Sequence, residues 1–296
     1  INDYSLKPKV KFELEGGNIK LKDLSPFMLV NKMWLPISKS QVEDSNQNSD
    51  FLLNTSIYGK LSIKNLYTNR YELNNLMGKM NLKNGVFNFE ELRFGMNNGS
   101  VLIFSFIDFN KEKPEFKLKL DIEDVQANEN LKPIIDYFLP PLHILNKVDF
   151  KANFKGHGDN KEEIIKSLYG NAKMLADEGY IRGEPAPAYV TVVFPFLQTT
   201  NYDFKTGEIV AKIRDGKSHL DMKFKGGRFD FYIIGLEDNL KNEIDFTFGV
   251  DLASGPLGII KKTIPSAITK YVKVDIARIK GKTGNPKVYF FRPKIF

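Results

Sequence analysis

Apolar and polar residues alternate one for one along most of this chain, and no other feature limits its fold as severely. In "EFKLKLDIED" (115–124), Phe116, Leu118, Leu120 and Ile122 alternate with Lys117, Lys119 and Asp121. Residues two apart share one face of a strand, so such a segment has one fat face and one wet face. "SIYGKLSIKNL" (56–66), "VDFKANFKG" (148–156), "HLDMKFKGGRFDFYIIG" (219–235) and "EIDFTFGVDL" (243–252) repeat the pattern. Strands wet on one side belong to antiparallel sheets, so the chain is expected to be mainly β. "VKFELEGGNIKLKDL" (10–24) carries Val10, Phe12 and Leu14, an expected turn at Gly16-Gly17, then Ile19 and Leu21.

Residues able to adopt positive φ sit where hairpins need them: Asn84-Gly85, Asn97-Asn98-Gly99, Thr206-Gly207 and Gly226-Gly227. The polar, aperiodic stretch 38–50 reads as a surface loop. Three amphipathic helices are expected. The first spans 128–141, with an apolar stripe of Leu131, Ile134, Ile135 and Phe138 ended by Pro140-Pro141. The second spans 159–170, capped by Asp159 or Asn160 and stopped by Gly170. The third spans 256–273 and is broken at Pro265. They are expected to cover the sheet rather than to enter a membrane.

"FNFEELRFGMNNGSVLIFSFIDF" (87–109) poses the functional question. Phe87, Phe89, Phe94, Leu102, Phe104 and Phe106 are more fat than one hairpin needs, so something lies against it. From periodicity alone, a closed core against helices or a second sheet is the preferred reading, because most alternating strands serve cores.

The chemistry of catalysis is sparse. There is no cysteine, which excludes disulfides, thiolate metal sites and cysteine nucleophiles. His143, His157 and His219 lack metal-ligand spacing. "GKTGNP" (281–286) has Ile276 where a phosphate loop needs glycine. The carboxylates of "DIEDV" (121–125) and "DGKSHLD" (215–221) read as solvent-facing charges on strands. No Gly-x-Ser-x-Gly elbow is present. No enzymatic role and no cofactor or metal is expected. The net charge of +7 invites an anionic partner, but the bases are scattered singly, as on a solvated sheet face. Aromatics on the apolar phase speak against nucleic acid. "YVTVVFPFL" (189–197), the longest strongly apolar stretch, is too short to span a membrane. The chain opens at Ile1 without a signal-peptide pattern, and is read as a piece of a longer protein.

Several stretches resemble the AsmA-like family of bridge-like lipid transfer proteins. "YELNNLMGKMNLKNGVFNFEELRFGMNNGSVLIFSFIDF" (71–109) is similar to its strand–turn–strand run. "PEFKLKLDIEDVQANENLKPIIDYF" (114–138) is similar to its strand-then-helix unit. "VDFKANFKGHGDNKEEIIKSLYGNAKMLADEGYIRG" (148–183) resembles its glycine-punctuated stretch, and "VKVDIARIKGKTGNPKVYF" (272–290) its closing strand pair with Gly281, Asn285 and Pro286.

The resemblance implies a long, twisted and bent antiparallel sheet forming an open hydrophobic groove capped by short helices. Residues 1–50 would continue a missing upstream region, and 51–296 would form the carboxy-terminal groove domain. The implied cargo is phospholipid or another acyl lipid, moved between the inner and outer membranes. The implied lining is Phe87, Phe89, Phe94, Leu102, Phe104, Phe106, Phe116, Leu118, Leu120 and Ile122, continued by Phe224, Phe229, Phe231, Phe246 and Phe248. The implied setting is the periplasm of a diderm bacterium, within an inner-membrane-anchored protein. Membrane contact would come through the missing upstream anchor or the helix 256–273, which is read as the plug. A docking module for an outer-membrane or envelope protein, using a sheet edge or the segment 288–296, is the competing expectation.

Overall fold

The computed structural model describes residues 9–21, 53–68, 71–127, 142–182, 201–226, 230–251, 273–283 and 285–291. The expected helix 128–141, the expected helix 256–273 except Lys273, the loop 38–50, the stretch 189–197, Gly227 of the expected Gly226-Gly227 turn and Phe229 lie outside them; Lys273 begins a strand. The described chain is mainly β, an open mixed sheet of 15 strands that does not close into a barrel. The strands are β1 (Lys9–Lys20), β2 (Ser56–Tyr67), β3 (Glu72–Lys83), β4 (Val86–Met96), β5 (Gly99–Asp108), β6 (Glu115–Gln126), β7 (Leu142–Ile144) and β8 (Lys147–His157). After the helix α1 (Lys161–Ser167) come β9 (Tyr169–Arg182), β10 (Asn201–Arg214), β11 (Lys217–Gly226), β12 (Asp230–Asp238), β13 (Glu243–Asp251), β14 (Lys273–Lys282) and β15 (Asn285–Phe290). Neighbours follow chain order, except that β7 leaves the path and pairs with β9.

Two expectations about local structure are corrected. Gly16 and Gly17 lie inside β1, which runs unbroken and pairs in parallel with β2. Neither glycine has the positive φ that a turn of this kind needs. The sheet is therefore mixed, not purely antiparallel. Thr206 and Gly207 likewise lie inside β10, beside a register shift after Phe204. A Cβ on Gly207 would stand 2.9 Å from the Phe224 ring, so glycine serves close packing there.

Other turns agree with the sequence. Asn84 (φ 50°) and Gly85 (φ 73°) join β3 to β4, and Asn97 (φ 48°) and Asn98 (φ 65°) join β4 to β5. Two successive positive φ values define the hairpin turn whose twist matches that of the strands. Asp215 (φ 52°) and Gly216 (φ 74°) form a third such turn, between β10 and β11. The second expected helix is α1, shorter than predicted. Asn160 caps it by accepting a hydrogen bond from the Glu163 amide, 3.1 Å away. It stops before Gly170 because Leu168 is already extended and Tyr169 starts β9. Among the described residues no helix is long and apolar enough to cross a membrane.

The chain divides into two compact units. The first comprises Ile1–Val125 with Lys151–Tyr169, the second Gln126–Phe150 with Gly170–Phe296. In the first, Ile63, Leu66 and Leu76 are fully buried, with Leu14, Ile19, Leu73, Leu92 and Phe94 packed partly against them. In the second, a much larger interior gathers Tyr202, Phe204, Ile209, Leu220, Met222, Phe224, Phe231, Ile233, Phe246, Phe248, Val250 and their neighbours.

Candidate functional site

Register decides which of the fat residues share a face. In the first unit the pairs Phe87–Ile107, Phe89–Ser105, Leu92–Ile103 and Phe94–Val101 face one another across β4 and β5. The next ladder continues the same rows: Ile107–Phe116, Ser105–Leu118, Ile103–Leu120 and Val101–Ile122. On the other side Leu82 pairs with Phe87, Met80 with Phe89 and Gly78 with Leu92. Partners in a ladder project to the same side, so these residues form one continuous apolar wall across β3 to β6.

The wall is unevenly covered. Phe87, Val101 and Leu82 at its ends are buried, with 3–4% exposure. Between them Met80, Phe89, Leu92, Phe94, Ile103, Phe116, Leu118, Leu120 and Ile122 remain half-buried. Phe116 is further held by Gly156, where an added Cβ would stand 2.8 Å from its ring.

Leu102, Phe104 and Phe106 do not belong to this wall. They pair with Asp121, Lys119 and Lys117 and therefore stand on the wet face. The Lys119 ammonium lies 5.4 Å from the Phe104 ring centroid and that of Lys117 5.3 Å from the Phe106 centroid, the geometry of cation–π contact. The expectation that all six fat residues of 87–109 share one face is thus corrected. The physical reason is the two-residue turn. Met96 pairs with Gly99, so even-numbered residues of β4 face odd-numbered residues of β5. A bulge between Phe89 and Leu92 then brings Phe87 and Phe89 to the side of Leu92 and Phe94. The wall residues the sequence reading missed are Met80, Leu82, Leu92, Val101, Ile103 and Ile107. Both phases of "VLIFSFI" are apolar, so only turn length marks the inward one.

In the second unit, Phe224, Phe231, Phe246 and Phe248 do share a face. Phe224 pairs with Phe231, Ile233 with Phe248, and Gly235 with Phe246. The Phe224 and Phe231 rings stack at 4.9 Å, and Phe204 lies tilted 5.0 Å from Phe224. Tyr202 stands 5.3 Å from Phe248. All four predicted residues are interior, Phe224 at 1% exposure and Phe246 at 9%. The same alternation thus gives a closed core in this unit and a half-open wall in the first.

One carboxylate breaks the apolar face of the second unit. Glu237 lies between Ser218 of β11 and Ile244 of β13. Burial raises its pKa, and among the described residues no hydrogen bond or ion pair offsets that burial. The opposite, wet face is laced with charge pairs. Arg278 grips Asp245 through two 2.6 Å contacts and holds its carboxyl below the usual range. Lys151 bridges Asp121 and Glu123, and Lys223 pairs with Asp221, which places these carboxylates among structural pairs. His143 stacks on Tyr180 at 4.6 Å, and His219 is exposed on the wet face. Tyr232 donates a 2.6 Å hydrogen bond to Asp275, and burial first, then that bond, raises its pKa.

Neither a curated protein nor a solved structure matches this chain. The model of the AsmA family matches residues 5–190, reaching further toward the amino terminus than the stretches from residue 71 onward that carry the resemblance. That span takes in the alternating strands of the first unit and its half-open wall, and the chain belongs to the AsmA family.

Proposed function

We propose that this chain is a lipid-binding module of the periplasm, which shields acyl chains against the apolar wall of β3 to β6. Through it the chain contributes to lipid transport between inner and outer membranes, as part of a longer inner-membrane-anchored protein. Family membership is consistent with a lipid-transport or envelope-assembly role. The observation that carries the finer reading is the patch of half-buried Phe89, Ile103, Leu118 and Leu120, apolar side chains that the described residues cover only in part.

Solvation is the whole task in this reading. Exposing a sixteen-carbon chain to water costs on the order of 12 kcal/mol, at about 0.8 kcal/mol per methylene. A continuous wall of Phe, Leu, Ile and Met offsets that cost without polar specificity, because such side chains fit many chain conformations. No bond is made or broken, so no catalytic group is required.

A second reading has its own support. The second unit's apolar face is interior, and β15 forms an outer edge of the sheet with Tyr289 exposed. A module with a closed core and a bare edge would dock an envelope protein by strand addition. Native mass spectrometry of protein purified without added lipid, followed by lipid extraction, separates the two. Co-purifying acyl lipid, lost in a folded Leu120→Asp variant, is the expected result. A folded protein of bare mass would turn the reading to docking.

A further inference from the structure

At one end of the first unit the register gathers lysines that the sequence scatters. β1 starts at Lys9, β2 starts at Ser56 and β3 ends at Lys83, so all three strands reach the rim together. Val10, Ile57 and Leu82 make a cross-strand row, and Lys11, Tyr58 and Asn81 make the next. Lys9 pairs with Ser56 on the far side of the first row. Those nine residues line an open depression of about 420 Å³. Alternation turns the flanking rows, Lys9–Ser56 with Lys83 and Lys11–Tyr58–Asn81, to the wet face. The backbone of Val10, Ile57 and Leu82 forms the floor between them.

The charges in this depression are unbalanced. Among the described residues Lys9, Lys11 and Lys83 have no ion-pair partner, whereas Lys60, two rows further in, lies 3.8 Å from Glu13. Among the described residues the one carboxylate joined to the cluster is Glu90, which accepts from the Asn81 amide at 3.1 Å. Among the described residues, three cations against one anion leave a local positive excess at the rim.

We propose that this basic rim docks on an anionic membrane surface, its three lysines facing the phosphates of lipid headgroups. The chemistry favours a field of phosphates over one bound ion. A site for a single phosphate is built from converging backbone N–H groups or the planar fork of arginine. Here all three cations are exposed lysines, compact charges on flexible stems, around a shallow and open floor. Among the described residues, their place at the strand ends lets a flat surface reach them together. Tyr58 adds an aromatic ring with a polar tip, suited to the headgroup layer. This docking is separate from acyl-chain shielding, since it uses the opposite face of the sheet.

The test is co-sedimentation with vesicles of phosphatidylcholine alone and of an equimolar phosphatidylcholine–phosphatidylglycerol mixture. A lysine near an anionic surface contributes about fivefold in partitioning. The joint variant Lys9→Gln, Lys11→Gln, Lys83→Gln is expected to lose about a hundredfold on the mixed vesicles by the same reckoning. The equally charged control, Lys217→Gln, Lys225→Gln, Lys287→Gln, is expected to lose far less. Equal losses would assign the effect to net charge and overturn the proposal. So would failure of the native chain to prefer the mixed vesicles, or saturable binding of inorganic phosphate at these lysines without vesicle binding. Acyl lipid retained by both variants in native mass spectrometry would leave the conduit reading standing whichever way the vesicles decide.

Discussion

Replacing Phe231 with alanine tests whether the two stretches of apolar face differ as their exposures say. Phe231 is 2% exposed, its ring stacked on Phe224 at 4.9 Å and tilted against Tyr202 and Phe248 at 6.1 Å each. Those neighbours are fixed by their own ladders and cannot close the void, so the loss is expected to be about 4 kcal/mol. Leu120 keeps only part of its side chain from water. At roughly 25 cal/mol per Å² of apolar area, Leu120→Ala is expected to cost about 1 kcal/mol. With a urea slope of about 3 kcal/mol per molar, the Phe231 variant shifts its midpoint by over ~1 M and the Leu120 variant by under ~0.5 M. Circular dichroism against urea reads both. Equal shifts would refute the distinction between a closed interior and an open wall, and with it the observation on which the lipid reading stands.

Two further outcomes are expected. Gly85→Ala should destabilise by about 2 kcal/mol, because alanine resists positive φ and its Cβ would stand 2.6 Å from Leu53 Cδ2 and 2.9 Å from Asn110 Oδ1; a urea midpoint unchanged from the native chain would contradict the turn geometry. Glu237 has a raised pKa in the folded chain, so the folded state holds its proton more tightly than the unfolded one. Stability should therefore fall as pH rises from the ordinary glutamate range through the raised value, then level off. Midpoints measured across that window should decline less in Glu237→Gln, and an identical decline would remove Glu237 as its source.

Much of the wall was legible before the fold was known. "EFKLKLDIED" placed Phe116, Leu118, Leu120 and Ile122 on one face, and the ladder keeps them there. "NG" and "NN" marked two hairpin turns where positive φ is found. Misplacement came where both phases were apolar, in "VLIFSFI". There Leu102, Phe104 and Phe106 fall opposite Asp121, Lys119 and Lys117 of β6 on the wet face, and Val101, Ile103 and Ile107 face the wall. The two-residue turn held the needed signal, since it forces opposite parity on the strands it joins. Gly16-Gly17 misled for a different reason: a glycine pair permits a turn without requiring one.

Alternation by itself determined that this chain is a sheet with one fat face and one wet face, because side-chain period is a local property of the extended backbone. It also determined the residue types that an acyl chain or a core would meet. It left open whether the fat face is covered, since burial depends on what distant segments bring against it. Only the tertiary structure made Phe224 and Phe231 interior while leaving Leu118 and Leu120 half-open. Only strand pairing set Lys9, Lys11 and Lys83 around one depression, though over 70 positions separate the first from the last. Register is a relation between strands, and no single strand carries it.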